Sequence, residues 1–301
     1  MSKVMSMKDA IGRFVRDGDL VVMEGFTHLI PFAAGHEIIR QGRRDLTLAR
    51  LTPDLIYDQM IAAGCAKKMI FSWAGNPGVG PLHAFRRAVE KGVPRPLAIE
   101  EYTHFGMVQR FMAGASNLPF LPTRNYPGTD LTKVNPGFKQ VKSPYGDEML
   151  WCVPALRPDV TIVHAQRADT EGNTQVWGLY GVQKEAAFAS QRVIVTVEEV
   201  VDASIIRADP NRTIIPGIIV SAVVHEPFGA HPSFVQGGYD RDNDFYVDWD
   251  RISKEEAGLK GYLDEWVYGV PDRAAYIKKM GPRHAALEAD VQMCAPVNYG
   301  F

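Results

Sequence analysis

The chain has 301 residues, 46% of them hydrophobic and 23% charged, with a formal net charge of −2. This length admits one large α/β domain or two small ones and leaves ample residues for a core. A near-neutral balance with scattered basic residues argues against a protein that coats nucleic acid, and no run reaches the ~18 apolar residues of a membrane span.

In chain order, residues 8–16 form an amphipathic pattern with Ala10, Ile11, Phe14 and Val15 on one face. Asp17-Gly18-Asp19 then turns into LVVM, an apolar run suited to a strand buried on both sides. A helix over 32–41 leads to a strand in LTLARL, a helix over 54–63 to one in MIFSW, and a helix over 82–90 to one in LAIEEY. Repeated βαβ units predict an open, mostly parallel sheet with helices on both faces. Residues 118–147, dense in Pro and Gly, break the rhythm and are expected to be a long irregular segment. Apolar runs return in MLWCVPAL, VTIVHA, VIVTVEEVV and IIPGIIVSAVV. From Tyr239 the pattern is helical and polar, so we expect an α/β domain over 1–238 and a helical extension over 239–301 wrapping it.

Cys65, Cys152 and Cys294 are too few and too far apart for a disulfide framework or paired metal site, and read as buried free thiols. The first residues, MSKVMSMKDAIGRF, carry charge where a secretion signal needs an apolar stretch, so a soluble, cytoplasmic protein is expected.

Three strand ends carry candidate site residues. After LVVM come Glu24, Gly25, Phe26 and Thr27, leading to Pro31 and a helix start that offers N–H groups to an anion or oxyanion. After MIFSW, the glycines around Ser72, Gly75 and Asn76 exceed what one turn requires; the Ser and Asn could bond a carboxylate or thioester carbonyl, or the segment is a plain connection. A P-loop is excluded, because its closing Lys-Ser/Thr is missing. After LAIEEY, Glu101, Tyr102, Thr103, His104, Phe105 and Gly106 gather groups for acid–base or nucleophilic work, unless Glu101 merely caps a helix or pairs with Arg110. The turn Ala168 to Asn173 reads as structural. His225, Glu226 and His231 have the wrong spacing for metal ligands, with Pro227 and Gly229 between them, so no metal site is expected.

Together DGDLVVMEGF with Pro31, LPFLPTRN, AQRADTEGN, VIVTVEEVV, NRTIIPG and EPFGAHPS resemble, in order, the α-subunit family of class I CoA-transferases of the glutaconate CoA-transferase type. The resemblance implies an open α/β fold and an assembly with a β subunit whose junction holds the active site. It also implies ping-pong CoA transfer between an acyl-CoA and a carboxylate, through a glutamyl thioester on a β-subunit glutamate. Coenzyme A would then be a substrate, with no permanently bound cofactor, and no residue of this chain would be the nucleophile. Gly25, Phe26, Thr27, Ser72, Gly75, Asn76 and Tyr102 to Gly106 would shape the acyl pocket, with Glu101 and Ser72 in support. The chain departs from the family at Glu24, where Gly is usual, and at Phe105, where relatives are often polar. The same scaffold also carries acyl-CoA hydrolases, C–C hydrolases and decarboxylases. A non-enzymic regulator would need a DNA-binding helix-turn-helix, and none is seen before Met7.

Overall fold

The short apolar runs of the first half become parallel strands because each is too short for a stable helix and is bounded by turn residues. They are β1 (Leu20–Glu24), β2 (Leu46–Ala49), β3 (Ala66–Phe71) and β4 (Ala98–Glu101). Helices Met7–Phe14, Phe32–Arg40, Leu55–Ala62 and His83–Lys91 precede them in turn, close to the expected bounds. The computed structural model describes residues 2–288.

Helix His104–Ala115 follows β4. The Pro-rich stretch is not irregular throughout. It supplies β5 (Phe120–Thr123) and β6 (Lys139–Lys142), which flank β7 (Met149–Pro154) in a separate antiparallel sheet. Pro122 is tolerated because β5 is an edge strand, where a missing N–H breaks no ladder bond. The run MLWCVPAL therefore belongs to this small sheet and not to the main one.

Then come β8 (Val160–Asp169), β9 (Thr174–Gln175), helix Gln183–Ala189, β10 (Arg192–Val201) and helix Ala203–Ala208. The run IIPGIIVSAVV divides at Pro216 into β11 (Thr213–Ile215) and β12 (Ala222–His225). Helices Asn243–Lys254 and Glu256–Tyr262, a π-helical segment Leu263–Tyr268, and helices Arg273–Met280 and Pro282–Ala285 complete the described chain.

The main sheet has the order β12-β10-β8-β1-β2-β3-β4, every neighbouring pair parallel, with β9 and β11 added antiparallel. Side chains alternate between two cores, as the strand period demands. Val21, Met23, Leu48 and Met69 join one apolar cluster with the first four helices. Val22, Ala49 and Ile70 join another with Phe111, Ala186 and Val153 on the opposite face. The C-terminal helices are less peripheral than their polar pattern implied. Phe245, Tyr246, Trp249 and Tyr262 lie in the first cluster, and Trp249 Nε1 donates to buried Asp58 at 3.2 Å. Cys65 and Cys152 are free and buried; Cys294 and the end of the expected extension fall outside the described residues.

Strand order reverses between β1 and β8. The chain lays down β1 to β4 in one direction, then places β8, β10 and β12 on the other side of β1. In open α/β sheets, ligands bind outside the carboxyl ends of the strands at such a switch point.

Candidate active site

All three candidate loops leave carboxyl ends of the parallel strands. With neighbours about 4.8 Å apart, the loop after β1 lies roughly 10 Å from that after β3 and about 14 Å from that after β4. They form a row along one edge rather than a single cluster.

Gly25 opens the first loop, where a Cβ would come within 2.6 Å of the His28 carbonyl. Thr27 and Leu29 both take left-handed φ of 56°, so the chain coils tightly before the Phe32 helix. The first helical N–H groups, those of Phe32 and Ala33, donate to the carbonyls of Ile30 and Gly229 and are not free for an anion. In the second loop, Ser72 Oγ donates to the Leu51 carbonyl at 2.6 Å and Asn76 Nδ2 to the Tyr246 carbonyl at 2.7 Å. Asn76 Oδ1 is buried without a partner, and Gly75 makes room for the Trp73 ring.

In the third loop, Thr103 caps helix His104–Ala115, its hydroxyl accepting from Gly106 N–H at 3.0 Å. Arg110 pairs with Glu100 at 2.9 Å, so Glu101 neither caps the helix nor pairs with Arg110. Glu101, His104 and Phe105 face solvent. Tyr102 is buried and donates to Glu100 Oε1 at 2.8 Å. Burial works to raise the Glu100 carboxyl, but bonding to Lys68, Arg110 and Tyr102 leaves it below the usual range.

Two residues beside the switch-point loop, His28 and Arg50, escaped the sequence reading, and a third, Glu24, was read there without its burial or its partners. His28 is fully buried. The Gln236 N–H donates to its Nε2 at 3.0 Å, so the proton sits on Nδ1 and is donated to the Leu179 carbonyl at 3.0 Å. Burial depresses this imidazole to about 4. Arg50, 1% exposed, donates to Asp54 Oδ1 at 3.0 Å and to the Gly25 carbonyl. Glu24 is 1% exposed, with Oε2 unpartnered and Oε1 against Gly181, where a Cβ would approach to 2.8 Å. Burial pushes its carboxyl up to about 7, against the pull of Arg50 and of the Val182 and Gly25 N–H groups. The signal available was charge inside an apolar run. A central parallel strand has no solvent face, so Glu24 and Arg50, at the ends of LVVME and LTLAR, had to be buried and served.

The late polar patch divides. His225 faces solvent, while His231 is buried between Asp242 Oδ2 at 2.9 Å and the Tyr276 hydroxyl at 3.0 Å. Among the described residues no group of His, Cys, Asp and Glu is placed to hold a metal ion.

A doubly covered parallel sheet with glycine-bearing loops along its carboxyl edge is the frame of a ligand-handling enzyme, and residues 4–226 match the family model described as Coenzyme A transferase. The chain belongs to that family, as one of its α-type subunits. It is 51% identical over 280 residues to the α-type subunit of the 3-oxoadipate CoA-transferase of Pseudomonas knackmussii, covering 93% of this chain and 99% of that one. It superposes on the crystal structure of glutaconate coenzyme A-transferase from Acidaminococcus fermentans with a TM-score of 0.93 and 34% identity, over 99% of each chain. The decarboxylase AibA/AibB is a more distant match, with a TM-score of 0.74 and 29% identity over 88% of this chain and 100% of that one.

Proposed function

We propose that this chain is the α half of a heteromeric enzyme that moves CoA between a short-chain acyl-CoA and a carboxylate. The acids are dicarboxylic or 3-oxo acids: 3-oxoadipate and glutaconate, in the names of two α-type relatives, are both dicarboxylates, and the first is also a 3-oxo acid. The observation that carries this reading is the 51% identity running the whole length of a 3-oxoadipate CoA-transferase chain. The decarboxylase likeness is weaker, and no residue arrangement here favours it.

A β-subunit glutamate attacks the thioester, giving a mixed anhydride and releasing CoA thiolate. The thiolate then returns to the glutamyl carbonyl, expelling the first carboxylate and leaving a glutamyl-CoA thioester that the acceptor acid discharges. The present chain supplies walls and positioning: Gly25, Phe26 and Thr27 at the switch point, Ser72 to Asn76 and Tyr102 to Gly106 along the row. Exposed apolar side chains occur on the elements at this end of the chain's fold, Ile99 in β4, Phe105 and Met112 on the helix after it, and Phe120 and Met149 in the small sheet. The β subunit is the partner proposed to cover the edge at Ile99 and Phe105. Free buried thiols fit a cytoplasmic setting.

Purified alone, the chain is expected to transfer no CoA from acyl-CoA to a carboxylate; co-expression with the β subunit restores transfer and places a CoA adduct on the β glutamate. Robust turnover by the isolated chain would overturn the assignment.

A further inference from the structure

The β1 loop is held from two sides by charged residues that neither the family resemblance nor the row of candidate loops explains. Val21 and Met23 point into one core and Val22 into the other. By the same alternation Glu24 belongs to the Val22 face, the side of helix Gln183–Ala189. There its carboxyl meets Gly181, where an added Cβ would stand 2.8 Å from Glu24 Oε1 and 3.3 Å from Phe26 Cβ. On the far side, Arg50 grips the Gly25 carbonyl and Asp54.

We propose that Glu24 is a positioning residue of the CoA-transfer site: its carboxyl is the wedge that sets the Gly25–Phe26 peptide against Gly181, while Arg50 holds the same peptide through its carbonyl. This rests on the CoA-transfer reading above. The neutral acid suits the wedge. An ionised Glu24 competes with Asp54 and the Gly25 carbonyl for Arg50, and turning the guanidinium loosens the loop. The other groups bearing on this balance are Tyr57 on helix Leu55–Ala62, and Tyr246 and Arg241 from the C-terminal region. The loop from Gly178 to Gln183 brings backbone amides and the Gln183 amide. Several neighbouring buried atoms lack protein partners, among them Glu24 Oε2, Arg50 Nε, Asp54 Oδ2 and Tyr246 Oη. The cluster therefore has unused bonding capacity with which to rearrange.

The test compares the assembled parent enzyme with Glu24→Gln and Glu24→Ala from about pH 5.5 to 8.5. In the parent, kcat falls as pH rises through about 7. Glu24→Gln, which keeps the shape of the neutral acid, retains the low-pH activity and loses that fall. Glu24→Ala lowers kcat roughly 10²-fold at every pH, with little change in KM, as expected for a displaced reacting frame. A Glu24→Gln profile that superimposes on the parent's, or a Glu24→Ala enzyme with parental kcat, overturns the proposal. Hydrogen exchange supplies a readout independent of turnover. Glu24→Ala should speed exchange in residues 25–30 and 178–183 together, while Glu24→Gln leaves both protected at low pH. Unchanged exchange in both segments refutes the wedge even if the assembled enzyme proves to have another activity, and changed exchange with no CoA transfer refutes the transfer reading alone.

Discussion

Gly106→Ala tests the packing beneath the third loop. An alanine Cβ at this position would stand 1.7 Å from the Tyr126 hydroxyl, whereas ordinary contact begins at 3.4 Å, so the hydroxyl has to move by the difference, 1.7 Å. Tyr126 cannot retreat freely. It is fully buried, its ring centroid lies 4.3 Å from that of Phe138, and its hydroxyl meets Thr103 Oγ1 at 3.1 Å. Overpacking of this kind costs about 1–3 kcal/mol, and a lost hydrogen bond adds about 1 kcal/mol. Replacing a helical glycine with alanine returns about 1 kcal/mol. The expected net loss is about 1–3 kcal/mol, a fall of a few degrees in Tm for the assembled protein. Tyr126→Phe removes the clashing oxygen. The nearest remaining contacts to the new methyl are then Tyr126 Cζ at 3.0 Å and Thr103 Oγ1 at 3.1 Å, which small shifts relieve. A double-mutant cycle by thermal unfolding should therefore find Gly106→Ala near neutral in the Tyr126→Phe background. An equal penalty with and without the hydroxyl would refute the reasoning, and a helix start that tolerates alanine without cost would refute the close approach itself.

Two further outcomes follow from the site geometry. Ser72→Ala loses the bond to the Leu51 carbonyl and should cost about 1 kcal/mol of stability; if Ser72 also orients the acyl group, transfer falls roughly 10²-fold, and unchanged transfer assigns it to the loop alone. His28 binds its proton less readily folded than unfolded, so its contribution to stability is complete above pH 6.5 and is lost as pH falls toward about 4. His28→Gln, whose amide can serve both Leu179 and Gln236, should flatten the fall in Tm over that range without abolishing it, because burial also lowers His231 to about 4; an unaltered slope would show that His28 does not govern it.

The elements legible in the sequence were those whose surroundings are uniform. LVVM and the strands in LTLARL and MIFSW are largely buried, so apolar content marks them, whereas the exposed edge strand in LAIEEY was legible from its place in the βαβ rhythm. The β5–β7 sheet was hidden because an edge strand such as β5 tolerates Pro122, and prolines read locally as loop. The loops after β1, β3 and β4 were legible as glycine-bearing strand ends. What Glu24, His28 and Arg50 do was not, because their partners, Gly181, Leu179 and Gln236 among them, come from distant segments. Gly25 and Arg50 are nearer in sequence, yet their bond depends on β1 and β2 lying side by side. Ser72 and Asn76 present the converse case, polar residues at a strand end whose visible bonds are to backbone carbonyls.

The placement of Phe245, Trp249 and Tyr262 in one cluster with Ile11, Val21 and Ile56 bears on how the protein is made. At about 5–20 residues per second on the ribosome, these aromatics follow β1 by on the order of ten seconds or more. During that interval the sheet face formed by Val21, Met23 and Leu48 lacks part of its cover, and Asp58 lacks the indole that it later accepts from. A nascent chain of this design is a natural client for chaperones. Damage to the last helices should be felt first as lost yield of folded protein.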